Sequence, residues 1–101
     1  MEEIEKMEKT EKSETTIPVV IADDDEGMRT VMRKMIERVE GVKLLGEAKD
    51  GKELLALVEE KKPQLVFLDV EMPQMSGVEA ARIIQDTDPS VILVFATAHD
   101  R

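Results

Sequence analysis

Residues 66–77 read VFLDVEMPQMSG, an apolar run that drives straight into Asp69 and meets Pro73 only four residues later. The preceding residues extend it to QLVFLDV over 64–70. So continuous a hydrophobic stretch predicts a strand covered on both faces, as in a parallel sheet. Strands of that kind bring polar groups together at their carboxyl ends, where the strand-to-helix loops gather. A carboxylate at the tip of a buried strand therefore points to a site, and the other strands must supply the rest of it.

Working outward, the same grammar repeats. IPVVIA over 17–22 predicts a first strand, with Pro18 near its start where a missing amide donor is tolerated. Met28, Val31, Met32, Met35, Ile36 and Val39 then recur at helical spacing among charged residues. They predict an amphipathic helix capped by Asp25 and ended near Gly41, with Met28, Met32 and Met35 in the core. VKLLGEA over 42–48 is a second strand, and Asp50-Gly51 a turn into a helix with Leu54, Leu55 and Val58 that Pro63 ends. A helix over about 77–87 carries Val78, Ala81, Ile83 and Ile84; Pro89 closes it, and VILVFATA over 91–98 is a fourth strand. Strictly alternating strands and helices with apolar strands define an α/β class built on a parallel sheet with right-handed crossovers.

Composition narrows the function. The 101-residue chain suits one domain, divided into a charged leader over 1–16 and a folded unit over 17–101. With aromatics at 2%, the core must be aliphatic and methionine-rich. A formal charge of −9 argues against direct binding of nucleic acid or anionic lipid. No secretory signal or membrane-length apolar run is visible, so a cytoplasmic location is expected. Without cysteine, thiolate catalysis and thiolate metal sites are excluded.

The first strand ends in Asp23, Asp24 and Asp25, the third in Asp69 and the fourth at Thr97. One of the three successive acids is explained by helix capping, a role that suits Asp25. The others, gathered with Asp69, would raise one another's pKa unless a cation intervened. An all-oxygen donor set with few protein ligands suits a hard ion, Mg²⁺ ahead of Ca²⁺. The stretch DDDEGMRTVMRK lacks the alternating acids of an EF-hand loop. An aspartate held beside such an ion can act as a nucleophile toward phosphorus, with Thr97 placed to hydrogen-bond the phosphoryl oxygens. His99 stands alone and carries no expected role; Met72 and Met75 are read as loop packing.

In order and on the expected elements, VVIADDD, Met28-Arg29, LDVEMPQMSG with its D-x-x-M-P-x-M-x-G spacing, and VILVFATA resemble the receiver domains of two-component response regulators over residues 17 to about 100. The resemblance implies a three-layer, flavodoxin-like (CheY-like) parallel sheet of order 2-1-3-4, without the last helix-strand-helix of the family. It implies a phosphorylation at Asp69 by a sensor histidine kinase, dependent on Mg²⁺. Asp24 would bind the ion directly, Asp23 through water and Glu71 through its backbone carbonyl. Thr97 would ligate the phosphoryl group, Pro73 and Gly77 would shape the loop, and small Ala98 would leave access. The lysine that the family carries on a fifth strand has no counterpart here, which puts full phosphotransfer in doubt. The activity would not be that of a conventional enzyme: at most self-phosphorylation and self-dephosphorylation at Asp69. The competing expectation is a phosphorylation-independent interaction module that dimerises or exchanges elements through the bare fourth strand. A phosphohydrolase is disfavoured, since no general acid is apparent.

Overall fold

The structure, a computed structural model, describes residues 16–96. Its elements alternate as expected: β1 Ile17–Ala22, α1 Glu26–Glu37, β2 Val42–Ala48, α2 Gly51–Lys61, β3 Leu65–Leu68, α3 Gly77–Thr87 and β4 Ile92–Phe95. The four strands are parallel in the order β2-β1-β3-β4. The charged leader over 1–16, apart from Thr16, lies outside the described residues, as do Thr97, Ala98 and His99.

Each helix begins on a side chain that can satisfy its orphan amides. Asp25 accepts from Gly27 N, Asp50 from Glu53 N and Ser76 from Glu79 N. Asp50-Gly51 is thus a cap and a first helical residue rather than a separate turn. α2 stops at Lys61 because Lys62 turns into the left-handed region at φ 53° and Pro63 cannot continue the helix. Gly41, at φ 84°, makes the left-handed turn into β2.

The sheet divides the core. On one face Val20, Ala22, Val66 and Leu68 meet Leu54 and Val58 of α2 and Ala80, Ala81 and Ile84 of α3. On the other, Val19 and Ile21 meet Ile36 of α1, with Met32, Leu44, Leu65 and Phe67 partly buried around them. Three expectations are corrected here. β3 is buried on one face and only half-buried on the other, because α1 is the only described helix on that side. Met35 is 62% exposed and does not belong to the core; Val31 and Val39 are exposed as well. In α3 it is Ala80, Ala81 and Ile84 that are buried, whereas Val78 and Ile83 face solvent. Helical spacing shows that a stripe is apolar, but not how much of it a neighbour covers. No described helix is long and apolar enough to cross a membrane.

Candidate metal centre

β1 and β3 are neighbours, with Ala22 paired to Leu68, so the residues after each strand emerge side by side. The ladder carries on into them. Asp23 N donates to Ala48 O at 3.0 Å, and Asp69 N donates to Ala22 O at 3.0 Å. Both aspartates are consequently positioned by the sheet rather than by loose loops. They are buried, at 2% and 1% exposure, while Asp24 stands exposed at the lip.

The turn beyond Asp23 is tied further. Its Oδ1 accepts the amide of Asp25 at 2.9 Å, and its carbonyl accepts a hydrogen bond from Arg29 Nη1 at 2.6 Å. On the β3 side, Gly77 N donates to Val70 O at 2.7 Å and brings the start of α3 against the strand end. A Cβ at residue 77 would lie 1.8 Å from the carbonyl oxygen of Asp69, so only glycine permits this approach. Glu71, Met72, Pro73 and Ser76 line, with Asp24, a hollow beside the cluster.

Asp23, Asp24 and Asp69 each offer a carboxylate oxygen, all within 4.8 Å of one another. Burial pushes the Asp23 carboxyl above its ordinary value, partly offset by the Asp25 amide, and the charges of Asp69, Asp24 and Asp25 push it higher still. The donor set fits a small hard cation.

The structure therefore brings together three of the expected residues, Asp23, Asp24 and Asp69. Glu71 is placed on the rim of the adjoining hollow. Thr97 lies outside the described residues. Two side chains that the sequence reading left without a role, Arg29 and Glu47, stand behind the cluster: Arg29 Nε is 3.6 Å from Glu47 Oε1, and Arg33 Nη1 is 2.5 Å from Glu47 Oε2. The i, i+4 spacing of Arg29 and Arg33 puts two cations on one flank of α1, but nothing in the sequence points to Glu47 as their partner.

A doubly wound parallel sheet with acids converging at the carboxyl ends of two adjacent strands is the architecture of a flavodoxin-like signalling module. The family model for the response regulator receiver domain matches residues 19–101, and the chain belongs to that family. It is 36% identical over 81 residues to response regulator GacA of Pseudomonas aeruginosa, covering 80% of this chain and 38% of that protein. Among solved structures, it resembles the response regulator domain of Thermotoga maritima CheB, with TM-score 0.74 and 35% identity, covering 84% of this chain and 64% of that one. It also resembles the isolated REC domain of RcsB from Salmonella enterica serovar Typhimurium, solved in the presence of phosphomimetic BeF3⁻. There the TM-score is 0.78 and the identity 25%, covering 85% of this chain and 64% of that one. The chain thus spans well under half of the GacA relative's length.

Proposed function

We propose that the chain is a phosphoacceptor module of two-component signalling, located in the cytoplasm, that takes a phosphoryl group on Asp69 from the phosphohistidine of a sensor kinase. The observation that carries this reading is the grouping of Asp23 and Asp24 with a buried Asp69 at the end of a central strand. A carboxylate oxygen of Asp69 forms the new bond to phosphorus as the bond from phosphorus to the kinase imidazole breaks, and the imidazole keeps the electron pair. Mg²⁺, when bound, neutralises charge between the incoming phosphoryl oxygens and the acids.

Asp24 and Asp69 would hold the ion directly and Asp23 through water, Glu71 would add its backbone carbonyl, and Thr97 would ligate the phosphoryl group. The β1–β3 ladder keeps Asp69 in place, so little reorganisation is needed when the donor arrives. Mass spectrometry after incubation with Mg²⁺ and acetyl phosphate tests the proposal. One phosphoryl adduct is expected, lost in Asp69→Asn and on chelation of the metal. An unmodified wild-type chain would overturn it.

A second reading rests on the exposure of Ile92, Val94 and Phe95 on β4, the outermost strand on its side of the sheet among the described residues. Such an edge can pair with a second copy or exchange elements with it, independently of phosphorylation. Sedimentation equilibrium tests this directly: a mass that rises with concentration and falls back in Ile92→Lys supports it, and a monomer throughout removes it.

A further inference from the structure

Three contacts immobilise the turn that carries the metal-site acids, and one of them is a cation. The amide of Asp23 is held by Ala48 O and its carboxylate by the amide of Asp25. Its carbonyl is held by the Arg29 guanidinium at 2.6 Å. That carbonyl belongs to the planar peptide joining Asp23 to Asp24, so fixing its direction restricts ψ of Asp23 and φ of Asp24 together. Both acids are then aimed by one bond. Arg29 in turn faces Glu47 on β2 at 3.6 Å, too long for a good hydrogen bond but close enough for attraction, while Arg33 grips the other oxygen of Glu47. Glu47 keeps Arg33 as a partner when Arg29 is replaced, so the change leaves no carboxylate unpaired.

We propose that Arg29, braced by Glu47, is a positioning residue that orients Asp23 and Asp24 for the divalent ion. The inference rests on the metal-binding reading of the preceding section and assigns a second-layer role within it. Charge and geometry make opposite demands at this residue. A cation beside a cation site weakens binding by repulsion, so if charge alone mattered, neutralising Arg29 would tighten Mg²⁺. If the guanidinium aims the ligands, removing it loosens Mg²⁺ despite the relief of repulsion. Planarity matters as well. The guanidinium fork reaches an acceptor on the turn and faces one on β2 at once, which a single ammonium does not reproduce.

The test is Mg²⁺ titration of the full 101-residue chain, followed by the amide resonances of Asp24, Asp69 and Glu71, for the wild type, Arg29→Gln and Arg29→Lys. Melting without metal is recorded in parallel. Saturable binding is expected in the wild type, with Kd raised roughly tenfold in Arg29→Gln, as is common when a ligand-orienting partner is lost. A weaker rise is expected in Arg29→Lys, which keeps the charge and loses the fork. Melting temperatures should move little. A purely structural role would lower melting and leave the Kd of the folded protein untouched. Unchanged or tighter binding in folded Arg29→Gln overturns the proposal. Should that variant fail to fold, Arg29→Lys decides: weaker binding supports the inference, and wild-type affinity overturns it. Wild-type binding with unaffected variants sinks this inference alone, whereas a wild type that binds no Mg²⁺ sinks the metal reading with it.

Discussion

On the side of the sheet covered by α2 and α3, Val20, Ala22, Val66 and Leu68 are wholly excluded from water; on the α1 side only Val19 and Ile21 are. The register explains the contrast. Leu65 pairs with Ile92 and Phe67 with Val94, so all four point to the α1 side. There α1 sits over β1 and β2, its Arg29 and Arg33 turned to Glu47 on β2. At 100° per residue, Val31 and Met35 fall on the helix flank away from those arginines and stay exposed. The two faces therefore differ in purpose. The well-packed face gives the strands a rigid backing, and the site is built at their ends; the sparsely packed face leaves apolar surface at Ile92 and Val94.

Mutations can sharpen or break this contrast. The largest effect belongs to Gly77→Ala, where the new Cβ would collide with the Asp69 carbonyl and displace either α3 or the end of β3. A loss of about 4 kcal/mol in urea unfolding, or failure to fold, is expected. Leu54→Ala, within the well-packed face, should cost about 3 kcal/mol, since a fully buried leucine leaves a cavity behind.

Asp23→Asn comes next and acts with the opposite sign. Burial and neighbouring acids hold the Asp23 carboxyl above its ordinary value, so just above that value the folded chain keeps a proton the unfolded chain has released. Stability of the metal-free protein consequently rises as pH falls through that window and is lower at neutral pH. The asparagine variant should melt higher at neutral pH in a chelator and lack that gain in stability on acidification, while binding Mg²⁺ more weakly. A lower melting temperature at neutral pH would show that ionised Asp23 is not a liability.

Met35→Ala is expected to be smallest, within about 0.5 kcal/mol. A cost approaching that of Leu54→Ala would mean that the α1 side is covered in solution.

Much of this was legible in one dimension. The spans expected for β1, β2 and α3 coincide with those observed, because each is bounded by a proline, a glycine or a capping side chain whose effect is local. β3, observed over Leu65–Leu68, is shorter than the apolar run that predicts it. An apolar run such as VFLDV does not reveal where the ladder partner stops, and pairing ends at Leu68 with Phe95. Asp23, Asp24 and Asp69 could be grouped in advance, because strand ends in a parallel sheet must converge. Arg29 and Glu47 could not: their meeting depends on how α1 crosses β2, and no sequence interval encodes that angle.

From its sequence alone, this chain is determined as an alternating α/β protein whose strands end in acids, since period, caps and breakers are properties of neighbours along the chain. The tertiary structure alone decided which apolar residues are covered, and that a guanidinium grips the peptide between the two acids of the first turn. Both depend on surfaces from distant segments meeting at a particular angle, and burial and orientation exist only once they have met.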